Sequence, residues 1–141
     1  MARLMSFMIC DAINNIPVSN PDSSIKSIPA LMAPTIVLRP KYIPGNFSFG
    51  IALGISDVNL QEQNRMKIII KNSNNDIVYD SGEKEIPIAD KPDTLKKEYQ
   101  GFIMCADIRN LSIDIEGEYS FEIYINGDLI ETKMVPIYSR G

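Results

Sequence analysis

The cleanest alternation of apolar and polar positions lies at Phe47–Ser56. Phe47, Phe49, Ile51, Leu53 and Ile55 fall on one face at period two, and Ser48, Gly50, Ala52, Gly54 and Ser56 fall on the other. Period two is the signature of a β-strand. One face of this strand is large and apolar; the other is entirely small. Glycine weakens a strand interior, so two on one face imply that something approaches closely. Either side chains of the same chain cover that face, or it is a flat docking surface for another subunit or partner. Ser48, Gly50, Ala52, Gly54 and Ser56 are therefore candidate interface residues.

Other segments repeat the two-residue period. Met5–Ile13 is apolar on both faces as far as Asp11, which predicts a strand covered on both sides and central in its sheet. Met66–Lys71 and Asp76–Asp80 read as a hairpin, with Asn72-Ser73-Asn74-Asn75 supplying the turn. Glu83–Ile88 reads as a short edge segment blunted by Pro87. Phe102, Met104, Ala106 and Ile108 share one parity, while Leu111, Ile113 and Ile115 share the other. The switch requires an extra residue near Arg109-Asn110, so a bulge or break is expected there.

Residues 17–44 carry Pro17, Pro21, Pro29, Pro34, Pro40 and Pro44. Proline lacks a backbone donor and restricts its predecessor, which excludes long helices and central strands. Short edge strands near Ile25–Ile28 and Thr35–Arg39 are expected. The stretch between them, Ile28–Pro34, reads as an apolar loop that either plugs one end of the core or forms an adaptable partner surface. Leu31 and Met32 are its candidate contact residues.

The last hairpin carries the strongest structural signal. Tyr119, Phe121, Ile123 and Ile125 alternate up to Asn126-Gly127, a strong turn pair. A two-residue loop pairs Glu122 with Glu131, opposing like charges. A four-residue loop, Asn126–Leu129, pairs Glu122 with Lys133 and is favoured on that ground. Both registers place Ile130, Thr132 and Met134 on the core face. Ile88–Gln100 is the most polar connection and is expected to cross between sheets, with one helical turn at Asp93–Lys97. The whole is about eight to ten short strands. It reads as one domain over residues 1–141, all-β, an antiparallel two-sheet sandwich of immunoglobulin-like type.

Composition narrows the chemistry. The net charge of −4, with no long basic run, argues against nucleic acid as partner. The chain contains no histidine, which removes histidine-based triads, histidine metal sites and the usual general base near neutral pH. Two cysteines, Cys10 and Cys105, cannot alone form a four-ligand zinc site. They are expected to be reduced in a cytoplasmic protein; a Cys10–Cys105 disulfide is the rival reading. No stretch reaches the length of a membrane-spanning helix, and no cleavage signal follows the first residues, so neither membrane nor secretion is expected.

The segment Gly117-Glu118-Tyr119-Ser120-Phe121-Glu122-Ile123-Tyr124-Ile125-Asn126-Gly127 looks like the closing hairpin of immunoglobulin-like domains. The first strand, ending Met8-Ile9-Cys10-Asp11, adds a second match. Together with the strand order they resemble a family of small bacterial and phage proteins that form a domain of unknown function. The resemblance implies a sandwich fold and carries no catalytic residues. The chain has no tryptophan, so the packed tryptophan of antibody domains is absent.

Carboxylates offer the only enzymatic reading. Asp107 lies among apolar residues, and Asp11 adjoins Cys10; if their strands paired, the two would approach as a possible acid–base pair. The competing reading is two polar residues at a sheet edge or facing solvent. Asp76, Asp80, Glu83 and Glu85 form an acidic cluster without the spacing or glycine of an EF-hand, and read as a solvated face before a calcium site. No cofactor or metal is expected. The reading that follows is a non-enzymatic protein-binding or assembly module of a bacterium or phage, with a protein partner or self-association as a homodimer. Its rivals are a phage or mobile-element inhibitor of a host defence protein, and a carboxylate-based or metal-dependent enzyme.

Overall fold

In the computed structural model, residues 1–19, 25–90, 92 and 94–141 are described. Among them, nine strands form two antiparallel sheets: β1 (Arg3–Ser19), β2 (Ile25–Thr35), β3 (Gly45–Ser56), β4 (Asn64–Lys71), β5 (Ile77–Asp80), β6 (Lys84–Ile86), β7 (Gly101–Ile113), β8 (Gly117–Ile125) and β9 (Asp128–Ile137). The first sheet has the order β2-β1-β3-β7. The second has the order β5-β4-β8-β9, with β6 also paired to β4. The protein is an all-β sandwich, and no helix among the described residues is long and apolar enough to cross a membrane.

The two inner faces follow from alternation. Phe49, Ile51, Leu53 and Ile55 of β3 point inward with Ile9 of β1 and Ile108 of β7. They meet Ile68 and Ile70 of β4, Tyr119, Phe121 and Ile123 of β8, and Val135 and Ile137 of β9. Each of these is at most 4% exposed. Phe121 sits at the centre, edge-on to Phe7 at 5.7 Å and tilted against Phe49 at 6.0 Å.

The connectivity is that of an immunoglobulin-type sandwich. β1, β3 and β7 take the places of strands A, B and E; β5, β4, β8 and β9 take those of C′, C, F and G. The link between β7 and β8 is pinned by Tyr119, whose buried hydroxyl donates to the carbonyl of Ile115 at 2.6 Å. A tyrosine at the start of strand F bonding to backbone upstream is the tyrosine corner of such domains. The strand that would occupy position D, beside β7, has no counterpart among the described residues.

Several expectations need correction. Ile28–Pro34 is not a loop: it lies within the eleven-residue strand β2, and Thr35–Arg39 is not a strand. β2 is an edge strand, where proline is tolerated because, among the described residues, one side of the strand pairs with nothing. Pro29 and Pro34 lie an odd number of positions apart, so a regular strand would aim them in opposite directions. Ala33, at φ 52°, breaks the alternation between them, and the pairing skips Asp11 and Ala33. Leu38 instead bridges to Ile137, with its N–H bonded to the carbonyl of Pro136. β1 does lie inside its sheet, but Met5 and Met8 are exposed, so the strand is covered on one face only.

The closing hairpin adopts neither expected register throughout. Ile125 pairs with Asp128 around a two-residue turn, with Asn126 at φ 53° and Gly127 at φ 86°. These angles make a type I′ turn, which matches the strand twist. One extra residue on β9 then shifts the pairing between Ile123 and Tyr124, so that Glu122 faces Thr132. A one-residue slip exchanges the faces of a strand. Met134 and Thr132 consequently face outward, and Lys133 lies opposite the inward-pointing Phe121. The bulge expected at Arg109-Asn110 is present, with the β3–β7 register shifting between Phe47 and Phe49 and Asn110 at φ 55°. The helical turn falls at Lys97–Tyr99, later than expected; Lys91 and Asp93 lie outside the described residues.

Candidate protein-binding face

The outward side of the β2-β1-β3-β7 sheet is laid out in rows by strand register. Ser6 lies beside Gly54, and Gly54 beside Ile103. Met8, Ala52 and Cys105 form the next row, followed by Cys10, Gly50 and Asp107. The small face of β3 is thus the middle column of this surface. The space its glycines leave is filled by neighbours on β1. A Cβ at Gly54 would lie 2.5 Å from Ser6 Oγ, and one at Gly50 would lie 2.8 Å from both Cys10 Sγ and Ile13 Cγ1. The close approach inferred from the glycines is made by the chain's own side chains.

What stays open to solvent flanks that column. Met8 is 47% exposed, Met5 61% and Ile103 77%. Ala52 and Cys105 are half-buried between them, and Ser48 is exposed at the far end of β3. Of the residues singled out in the sequence, Gly50, Gly54 and Ser56 are buried. The hydroxyl of Ser56 has no hydrogen-bond partner. Met5, Met8 and Ile103 were missed. Their signal was present in the sequence: two apolar faces in Met5–Ile13, and Ile103 at the outward parity of an apolar strand.

The face continues into an arm. β1 pairs with β3 only as far as Cys10, whereas its pairing with β2 continues from Ala12 to Ser19. Beyond the body of the sheet, β1 and β2 therefore form a two-stranded ribbon. Ile16 pairs with Ile28, and Ala12 with Met32, on one side of it. Ile16, Val18, Ile28 and Met32 are all substantially exposed, and Leu31 is half-buried on the opposite side. The ribbon is tied at its root by Ile13, whose N–H donates to Asp107 Oδ1 at 3.3 Å.

The outer face of the other sheet differs in kind. Lys71 Nζ lies 3.2 Å from Glu122 Oε2, Tyr124 donates its hydroxyl to Glu122 Oε1, and Lys67 stands 4.7 Å from the centre of the Tyr124 ring. The centre of that surface is a set of mutually satisfied polar groups, with Ile77, Leu129 and Met134 exposed around it. Burial, reinforced by the neighbouring Glu122 carboxylate, raises the Tyr124 phenol above its ordinary value.

The candidate carboxylates are not brought together. β3 lies between β1 and β7, so the strands of Asp11 and Asp107 do not pair. Asp107 holds the arm and stands 3.6 Å from Arg109. Asp11 faces a separate groove of about 480 Å³, shared with Thr35, Arg39, Ser48 and Arg140. The guanidinium of Arg39 is already spent on the carbonyls of Tyr138 and Ser139. Among the described residues, no three His, Cys, Asp or Glu converge as a metal site. Within the acidic cluster, Asp80 accepts from the Gly82 amide and Glu85 from Gln63. Both cysteines are free thiols, and burial raises each above its ordinary value.

Comparison with known protein families and with characterised proteins finds no match.

Proposed function

We propose that this protein is a non-enzymatic binding or assembly module of a bacterium or phage, acting on a protein partner. The apolar arm that extends one outer face carries the reading. One sheet groups its central charges into mutually satisfied pairs and leaves Ile77, Leu129 and Met134 exposed around them. The other presents Met5, Met8 and Ile103 and runs into a ribbon lined with Ile16, Ile28 and Met32. Water-facing apolar side chains gathered on one side of a small domain mark an interaction surface. Methionines suit it, because an unbranched thioether side chain adapts to an irregular partner. An isolated two-stranded ribbon is marginal in water, so a partner that covers it adds stability.

The test begins with affinity capture from the native host to identify the partner, followed by binding of the purified pair. Met8→Asp combined with Ile28→Asp is expected to weaken that binding at least tenfold. Thr132→Asp, on the outer face of the other sheet, is expected to leave it unchanged. Equal loss from both variants, or loss from Thr132→Asp alone, overturns the reading.

A further inference from the structure

The four sheet edges are not alike. β2 is blunted by Pro29 and Pro34 and by the break at Ala33. β9 turns Lys133 to the inner side opposite Phe121, and the end of β9 is covered by the Leu38–Pro40 segment. β5 and β6 are only four and three residues long. Proline, inward charge, short length and a covering segment are the devices that stop sheets from joining edge to edge. Among the described residues, β7 has none of them between Gly101 and Ala106. It is thirteen residues long and keeps a regular register from Gly101 to Ile108, and no strand among the described residues pairs with its second edge. A groove of about 350 Å³ opens beside that edge, with Phe102, Ile103 and Met104 on one side and Lys84, Glu85 and Pro87 on the other.

We propose that β7 pairs with β7 of a second copy, antiparallel, joining two four-stranded sheets into one. The pairing uses the backbone edge of β7 and shares Ile103 with the apolar face; Met8 and Ile28, which lie outside β7, test the partner-binding reading separately. The sequence of the edge is what selects a second copy. A two-fold axis that keeps both outer faces on one side must place a residue opposite itself, because side chains alternate. The regular stretch has Met104 and Cys105 at its middle. Centring on Cys105 sets the exposed Ile103 against the charge of Asp107. Centring on Met104 sets Ile103 opposite Cys105 of the second copy and Phe102 opposite its Ala106, a large residue against a small one in each case. Asp107 then faces Gly101, which has no side chain and leaves the carboxylate in water. The edge is therefore self-complementary in the Met104 register. A pairing of this length covers less than a standard interface of about 1,600 Å², so the dimer is reversible.

Sedimentation of the full chain is expected to show a monomer–dimer equilibrium at concentrations up to about 1 mM, shifted to monomer by Ile103→Lys. Ile103→Cys supplies the register test. In the Met104 register its thiol lies opposite native Cys105 of the second copy, at the Cα separation of about 4.5–5.5 Å found across antiparallel pairs, which suits a disulfide. Mild oxidation should then give a covalent dimer that disappears when Cys105→Ser is added. A protein that stays monomeric at about 1 mM overturns the proposal. So does a cross-link that survives Cys105→Ser, which would mean the strands meet in another register. Loss of partner binding on Met8→Asp with the dimer intact would support both readings independently.

Discussion

The backbone N–H of Ile13 donates to Oδ1 of Asp107 at 3.3 Å, joining positions 94 residues apart. The same Ile13 packs its side chain where Gly50 leaves room. These two contacts fix the root of the β1–β2 ribbon to the outer side of its own sheet. Past that point, among the described residues, β1 pairs with β2 and with no other strand. Asp107 thus has a structural task that accounts for a carboxylate on an otherwise apolar strand.

Asp107→Ala should loosen the arm without unfolding the body. Local opening is controlled by the few contacts that tie a segment down. A hydrogen bond to a charged acceptor, discounted for its partial exposure, amounts to about tenfold in the opening equilibrium. Hydrogen exchange of the amides from Ile13 to Ser19 is expected to quicken about tenfold, with the β4 and β8 amides unchanged. Asp107→Asn keeps an acceptor oxygen and should fall between. Unchanged exchange in the alanine variant would show that Ile13 packing alone holds the arm.

Gly50→Val tests the second contact. The added side chain would meet Cys10 Sγ and Ile13, both of which sit 2.8 Å from the position of its first carbon. Overpacking of this kind costs about 1–3 kcal/mol. The denaturation midpoint should fall accordingly, and Cys10, fully buried in the native protein, should react faster with a thiol reagent. A fall in stability without a change at Cys10 would mean that the strain relaxes through β3 instead of through the arm.

The fold was legible in the sequence wherever alternation was uninterrupted. Phe47–Ser56 and Tyr119–Ile125 announced their faces, and the parity switch at Arg109-Asn110 announced the bulge. It was not legible where one residue resets the pattern. The αL conformation of Ala33 lets β2 carry two prolines and remain a strand, and alanine gives no sign of that conformation. The extra residue after Leu129 reverses the faces of β9, so alternation counted back from Asn126-Gly127 was bound to misplace Met134. The candidate face was half legible. Gly50 and Gly54 marked the outer side of β3, but whether a partner or Cys10, Ile13 and Ser6 filled the space depended on strand order. That order is set by pairings distant in sequence, which local patterns do not specify.

Tyr119 provides a test of the sandwich itself. Its ring is fully buried, and its hydroxyl is held by the Ile115 carbonyl at 2.6 Å. Tyr119→Phe keeps the packing and leaves that carbonyl without its partner. A loss of about 1–3 kcal/mol is expected, read from urea denaturation as a lower midpoint at constant slope. No loss would mean that water replaces the hydroxyl and that the corner contributes only through its ring.

The thiols are expected to set the first alkaline loss of stability. Burial is the main cause holding Cys10 above the ordinary value of 9.0; backbone hydrogen bonding at Ala12 and Met32 opposes it, and the charges of Asp107 and Asp11 add to it. Cys105 is raised by burial alone. Burial also raises Tyr119 above 10.0. In each case the folded state keeps a proton that the unfolded state releases first. The stabilisation is complete below the unfolded value and is lost as pH climbs through the folded one. Each group can contribute a slope of up to about 1.4 kcal/mol per pH unit within its own window. Stability should therefore begin to fall above about pH 9, the range where free thiols ionise, and more steeply past the tyrosine range. Cys10→Ser with Cys105→Ser should remove the first part of that fall and leave the tyrosine part. Denaturant midpoints measured from pH 8 to pH 11 check this, and an identical alkaline limb in the double variant would show that the thiols are not its cause.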